Sequence, residues 1–300
     1  MNELPFSSPL EETVVIVGVG MIGGSLAAAL KRRKIARTVI GVGRDQARIE
    51  AARAAGLIDE ATTKAGSVLA RANLVVFCTP VERVASDVHS AFADQSFTSV
   101  KAVAQASESG LLMTDVGSVK GPICSKLLNI PNFVGSHPIA GSHRQGFEAA
   151  DARLFEGRLC VLTPTSATLE PSISRLERFW RALGMRTIRM SPDSHDAALA
   201  VTSHLPHVVA AALATTVCDD HRRLTGTGFR DTTRVAAGDP DLWAGILMNN
   251  AEQVVNGIDE MQQRLSAYRK ALENHNLEEV RELLKDGQQF RMSLDETIHE

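Results

Sequence analysis

The feature that most restricts the fold is the run in which "TVVIV" (Thr13–Val17) passes directly into "GVGMIGGSLAAAL" (Gly18–Leu30). Gly18, Gly20 and Gly23 form G-x-G-x-x-G between a strand-like and a helix-like segment. The first glycine permits a tight turn, the second lets backbone approach a pyrophosphate, and the third lets helix and strand pack closely. The helix start then offers unpaired N–H groups and a positive dipole end to phosphate. A dinucleotide is therefore expected on Gly18, Gly20, Met21, Ile22 and Gly23. The competing reading is a plain tight turn in a sheet protein.

Up to about residue 190, short β-branched runs alternate with helical stretches. Strands are expected at Thr13–Val17, Thr38–Val42, Leu74–Cys78, Leu111–Val116, Asn132–Gly135, Leu159–Thr163 and Thr187–Met190. Helices are expected at Ile22–Lys34, Gln46–Ala55 and Glu82–Ala93. Such alternation indicates a parallel sheet covered by helices on both faces, an α/β fold. After Ser191-Pro192-Asp193 the pattern changes. Ser191 suits an N-cap and Pro192 the first helical position. Beyond them, Ala197–Cys218, Leu242–Glu273 and Leu277–Arg291 all read as helices. The expected division is a nucleotide-binding domain over 1–190 and an all-α domain over 191–300.

Bulk properties narrow the partners. A length of 300 residues suits about two domains. The net charge of −3, with no Lys/Arg block, gives no reason to expect nucleic acid or an anionic membrane. The start, "MNELPFSSPLEE", lacks the apolar stretch of a secretory signal. Ala197–Cys218 is free of Asp, Glu, Lys and Arg and close to the ~20 residues of a membrane span. It also carries Thr202, Ser203, His204, Pro206 and His207, so a helix buried in protein is expected. The four cysteines, Cys78, Cys124, Cys160 and Cys218, are scattered without C-x-x-C. That pattern suggests reduced thiols in the cytoplasm, with no metal site.

Cofactor choice is set beyond the second strand, where an acid suits the ribose of NAD and an arginine the 2′-phosphate of NADP. The sequence there is Ile40-Gly41-Val42-Gly43-Arg44-Asp45. Gly43 occupies the expected acid position and Arg44 follows, which leans to NADP. A small register shift would make Asp45 the ribose acid and the cofactor NAD. Asp45 also suits the cap of the next helix. "FCTP" (Phe77–Pro80) closes another strand, and ligands of open α/β sheets lie beyond the carboxyl ends of strands. Thr79 and Pro80 are thus expected beside the cofactor, an ordinary turn being the alternative.

Four further motifs stand in order: "TDVGSVK" (Thr114–Lys120), "GSHPIAGS" (Gly135–Ser142), "SHLPH" (Ser203–His207) and "GFRDTTRVAAGDPDLW" (Gly228–Trp243). Together with the glycine turn they resemble the prephenate/arogenate dehydrogenase family of tyrosine biosynthesis. The resemblance implies a Rossmann-type dinucleotide-binding domain followed by a helical dimerisation domain. It implies NAD(P)-dependent oxidation and decarboxylation of a cyclohexadienyl acid by a homodimer. Which of prephenate and arogenate is accepted is not written in any single residue.

His137 suits the general base, since imidazole titrates near ~6.5. Pro138 steers it into extended backbone, and Ala140, Gly141 and Ser142 leave room for a ring. A satisfied structural histidine is the alternative. The resemblance implies that Ser118 bonds both His137 and substrate or nicotinamide; an N-cap is its other reading. Lys120 reads as a phosphate or substrate contact, or as a solvated lysine at a helix start. His204 and His207 share a helix face, and Pro206 between them should kink that helix. By resemblance His207 contacts substrate, with His204 beside it. Guanidinium binds carboxylate bidentately, and the resemblance gives Arg234 a substrate carboxylate, with Asp196 as the acid orienting it. Trp243 could cap the ring pocket or be an ordinary core residue. A β-hydroxyacid dehydrogenase or imine reductase, and a dinucleotide-sensing protein without turnover, are the rival readings.

Overall fold

A run such as Val14–Val17 has apolar side chains at every position, so a strand made of it must be covered on both faces. In the computed structural model, which describes residues 9–69, 71–93, 110–130, 132–141 and 144–297, that is the arrangement. Val14 and Ile16 enter one core layer with Leu26, Leu30, Leu176, Phe179 and Trp180. Val15 and Val17 enter the opposite layer with Val75, Phe77, Val84, Val88 and Ile123.

The strands are β1 (Glu11–Val17), β2 (Ala36–Val42), β3 (Glu60–Thr62), β4 (Leu74–Phe77), β5 (Leu112–Asp115), β6 (Phe133–Pro138), β7 (Leu159–Thr163) and β8 (Arg186–Arg189). They form one sheet in the order β3-β2-β1-β4-β5-β6-β7-β8. Pairing is parallel from β3 to β6, β7 runs antiparallel to β6, and β8 is parallel to β7. The first six strands have the 3-2-1-4-5-6 order of a dinucleotide fold, whose ligands sit where the order reverses, between β1 and β4. β3 was not anticipated: "EAT" is three half-buried residues at the sheet edge, too short for an apolar pattern. β6 runs three residues past the expected Gly135, so His137 lies inside a strand, the extended backbone expected before a proline.

The covering helices are α1 (Met21–Arg33), α2 (Gln46–Ala54), α3 (Gly66–Leu69), α4 (Val81–Ala93), α5 (Gly121–Lys126) and α6 (Glu170–Ala182). Then come α7 (Pro192–Leu199), α8 (Leu205–Ala214), α9 (Thr227–Thr233), α10 (Pro240–Asn249), α11 (Ala251–Glu273) and α12 (Leu277–Thr297). No strand follows Arg189 among the described residues. Ser191 Oγ accepts the Ser194 N–H at 3.1 Å with Pro192 at the first helical position, as expected.

The expected helix Ala197–Cys218 is interrupted. Pro206 has no N–H to give, and a π turn spans Ala200–His204, where the Leu205 N–H reaches back five residues to the Ala200 carbonyl. The anticipated kink therefore takes the form of a π turn. Pro192–Ala214 is long and apolar enough to cross a membrane, and only 28% of its most apolar window is buried. Within this chain the expected burial of that helix is thus incomplete. The expected helix Leu242–Glu273 breaks at Asn250, which caps α10. The chain groups into a compact unit over 1–250 and a second over 251–300. In the second, α11 and α12 pair through a turn in which the Asn276 N–H bonds the Ala271 carbonyl at 2.9 Å.

Candidate active site

The turn after β1 is built for close backbone approach. Gly18 has φ +94, and a Cβ there would lie 2.8 Å from the Cys78 carbonyl oxygen. A Cβ on Gly23 would lie 2.1 Å from the Gly18 carbonyl oxygen, so only glycine fits. The Cβ direction of Gly20 opens into free space. Gly20 caps α1 without a side-chain bond, so the N–H groups of Met21, Ile22 and Gly23 are left for a ligand. Beside the turn, Thr79 Oγ1 is buried and lacks a hydrogen-bond partner among the described residues. These features fit a dinucleotide pyrophosphate at the point where the strand order reverses. Asp45 is committed elsewhere: its Oδ1 caps α2 by accepting the Arg48 N–H at 3.1 Å. Arg44 stands exposed just before it.

The segment after β6 folds back onto this turn. Phe147 and Ala150 lie against Gly24, and Ser25 Oγ accepts the Asp151 N–H at 2.9 Å. The strand bearing His137 and the nucleotide turn are thereby held in one wall.

His137 is 9% exposed, and its Nδ1 lies 2.9 Å from His195 Nε2. His195 Nδ1 lies 2.7 Å from Asp196 Oδ1. Asp196 also accepts the N–H of Lys120 on Oδ1 and that of Gly121 on Oδ2, both at 2.7 Å. With both rings neutral, these bonds fix the tautomers. A carboxylate only accepts, so His195 Nδ1 donates to it. Neutral His195 then offers Nε2 as an acceptor, and His137 Nδ1 must donate. The lone pair of His137 is left on Nε2, as a base requires. Burial first, then the charges of His195, Lys120 and His204, hold the His137 pKa well below its ordinary value. The imidazole is neutral at neutral pH.

The helical segments supply a second group. His207 is buried and stacks on Trp243, with ring centroids 3.6 Å apart and planes 17° from parallel. Its Nδ1 is buried and unpartnered among the described residues. Burial lowers its pKa. His204 meets Trp243 edge-on at 6.4 Å and accepts on Nδ1 from Asn250 Nδ2 at 3.1 Å. The same amide donates to the Asp196 carbonyl oxygen at 2.8 Å, which ties this group to the His137 chain. Burial pushes His204 down to about 4. Gly238 leaves the room this stack needs: a Cβ there would sit 2.6 Å from Trp243 Nε1 and 2.9 Å from His207 Cε1.

Several expectations are corrected. Asp196 does not orient Arg234; its carboxylate serves His195 and the start of α5. Arg234 is exposed, one turn before Gly238, without a carboxylate partner among the described residues. No bond joins Ser118 to His137 among the described residues, and Ser118 is not an N-cap, since α5 begins at Gly121. Lys120 is neither solvated nor directed at a ligand: it is fully buried and paired with Asp115. Ser142 lies outside the described residues. Pro80 is exposed at the edge of the nucleotide turn. His195 was missed, although "SHDAAL" sets it beside Asp196, and so was the Asp115–Lys120 pair.

The chain is similar to known proteins. The family profile for "Prephenate dehydrogenase, nucleotide-binding domain" matches residues 26–189, and that for "Prephenate dehydrogenase, dimerization domain" matches 191–286. The chain is 31% identical over 296 residues to a prephenate dehydrogenase of Bacillus subtilis, covering 95% of this chain and 76% of that one. It is 33% identical over 291 residues to a cyclohexadienyl dehydrogenase of Zymomonas mobilis, covering 94% and 95%. The solved structure of Aquifex aeolicus prephenate dehydrogenase with hydroxyphenyl propionate and NAD+ superposes with a TM-score of 0.84 at 33% identity, covering 94% of this chain and 98% of that chain. That of Synechocystis arogenate dehydrogenase gives 0.79 at 29% identity, covering 94% and 99%. With both profiles matched and relatives above 30% identity along nearly its whole length, the chain belongs to the prephenate dehydrogenase family, a family of nicotinamide-dinucleotide-dependent oxidoreductases.

Proposed function

We propose that this chain oxidises and decarboxylates a cyclohexadienyl acid, prephenate or arogenate, giving 4-hydroxyphenylpyruvate or tyrosine, with NADP preferred to NAD. The observation that carries the reaction is the His137–His195–Asp196 chain, which leaves a neutral imidazole with its lone pair on Nε2. His137 takes the proton of the ring hydroxyl. A nicotinamide dinucleotide held on the Gly18–Gly23 turn would supply the hydride acceptor for the carbon bearing that hydroxyl. The bond from the ring to its carboxylate then breaks, CO₂ leaves, and the electron pair completes the aromatic ring. His137 returns its proton to the oxygen, now phenolic, so no proton is gained or lost overall.

The remaining roles are part of this reading. Arg234 receives a substrate carboxylate, His207 donates to substrate through its unpartnered ring nitrogen, and Trp243 walls the ring pocket. His204 and Asp196 hold these groups in place, and Ser118 and Ser142 line the approach. Gly18, Gly20, Met21, Ile22, Gly23, Thr79 and Pro80 hold the dinucleotide. Arg44 meets the 2′-phosphate, a reading supported by the commitment of Asp45 to the α2 cap. The domains divide at 1–190 and 191–300. The protein works as a cytoplasmic homodimer through its helical segments, which leave Val201, Leu224, Leu242 and Met248 exposed.

The test is the absorbance of reduced nicotinamide with prephenate and with arogenate, each with NADP and NAD. Turnover of at least one acid with a higher kcat/KM for NADP is expected. No reduction with either acid would overturn the reaction, and a strong preference for NAD would overturn the cofactor assignment. Light scattering at micromolar concentration tests the dimer, which a monomer would refute.

A further inference from the structure

The least ordinary charge in the molecule lies behind the site. Lys120 and Asp115 are both fully buried and form an ion pair. A buried pair is a costly feature that an apolar pair could replace without loss of stability, so its placement calls for another reason. Backbone pairing between β5 and β6 extends only over Met113↔Phe133 and Thr114↔Val134. From Gly135 onward β6 pairs with β7 instead, out to Pro138↔Cys160.

Side chains take over where the β5 ladder stops. The Ser136 N–H reaches Asp115 Oδ1 at 3.3 Å, and the Ser136 carbonyl accepts from Lys120 Nζ at 2.9 Å. Ser136 Oγ donates to the Asp115 carbonyl at 2.6 Å. Every polar group of the residue preceding His137 is thus fixed by Asp115 or Lys120. The backbone N–H of the same lysine bonds Asp196 Oδ1 at 2.7 Å. Lys120 therefore holds the residue before His137 by its ammonium and Asp196 by its N–H. One glycine makes room for the pair: a Cβ on Gly117 would lie 2.9 Å from Asp115 Oδ2.

We propose that the Lys120–Asp115 pair is a positioning device for the reaction, setting the place of His137 through the residue before it. This rests on the reading of His137 as the base. The charged and titratable groups around that ring are His195, Asp196 and His204 from the helical segments, Lys120 and Asp115 from the β5–α5 turn, and Cys160 on β7. Removing only the positive charge should favour the imidazolium. Removing only the negative charge should disfavour it further.

The test uses three variants of the full chain: Lys120→Met, Asp115→Asn, and the two together, the last leaving no orphan charge. Folding is followed by circular dichroism, and kcat, both KM values and the acid limb of kcat are measured. In folded variants kcat should fall roughly tenfold or more while KM for the cofactor stays within about twofold. The acid limb should move to higher pH in Lys120→Met and to lower pH in Asp115→Asn, a pair of opposite shifts that a merely structural role would not produce. A folded double variant with wild-type kcat and an unmoved limb would overturn the proposal. Where the double variant does not fold, Asp115→Asn decides by the same two readouts. Turnover indifferent to His137→Asn would instead sink the base assignment, which separates the two failures.

Discussion

Asp196→Asn probes the logic of the site at one atom. The carboxylate accepts three N–H groups, from His195, Lys120 and Gly121, each at 2.7 Å. An amide of the same shape has one oxygen and one NH₂. In one orientation its NH₂ faces the Gly121 N–H, two donors together, which costs about 1–3 kcal/mol for an unsatisfied buried group. In the other its NH₂ opposes the Lys120 N–H, a pair of donors again, and faces His195. His195 must then accept on Nδ1 and carry its proton on Nε2, where it donates to His137 Nδ1. The proton of neutral His137 moves to Nε2, and the base has no lone pair to offer. A reversed histidine–acid tautomer of this kind costs about 10²- to 10⁴-fold in kcat, while KM for the dinucleotide should hardly move. Steady-state kinetics with the preferred acid, beside a thermal melt, give both numbers. A folded Asp196→Asn variant with kcat within about threefold of wild type, well short of the loss a reversed tautomer brings, would refute the tautomer argument.

His137→Asn should lower kcat by roughly 10²-fold or more with cofactor affinity unchanged, as read by turnover and cofactor titration; unaltered turnover removes it from the mechanism. Arg234→Ala should raise KM for substrate far more than for cofactor, and equal effects would mark a structural arginine. Gly238→Ala forces a methyl to within 2.6 Å of the Trp243 ring nitrogen, an overpacking cost of about 1–3 kcal/mol; KM for substrate should rise with the lost His207 stack, and an unchanged KM would show that the stack is dispensable. Burial lowers His204 from 6.5 to about 4, so its neutral form favours the fold fully above pH 6.5, and that contribution is lost as pH falls from 6.5 toward about 4, where the unfolded chain binds the proton first. The wild-type Tm should drop across that window more than that of His204→Gln; parallel curves would contradict the assignment.

What could be read in advance was local or periodic. The glycine turn was legible because its spacing is a demand on the backbone itself: Gly23 meets the Gly18 carbonyl at a distance no side chain survives. The inner strands were legible because burial on both faces leaves continuous apolar runs, a signal β3 was too short to carry. Partners in the polar chain were another matter. Asp196 was expected to serve Arg234, and Ser118 to serve His137, yet the acid sits 76 residues from the Lys120 N–H it accepts. Pairing across that distance depends on how α7 docks beside α5, and no periodicity in the sequence encodes it. One local clue did exist. Helix α5 starts at "KGPICSK" with Lys120 at the cap position and no side-chain cap of its own. Its first N–H groups, enclosed in protein, require an acceptor from elsewhere. A carboxylate is the strongest such acceptor, and one that serves a helix start also becomes a fixed anion to which a neighbouring histidine can donate. An uncapped helix start, followed far downstream by His-Asp, is therefore a physical reason to look for an oriented imidazole.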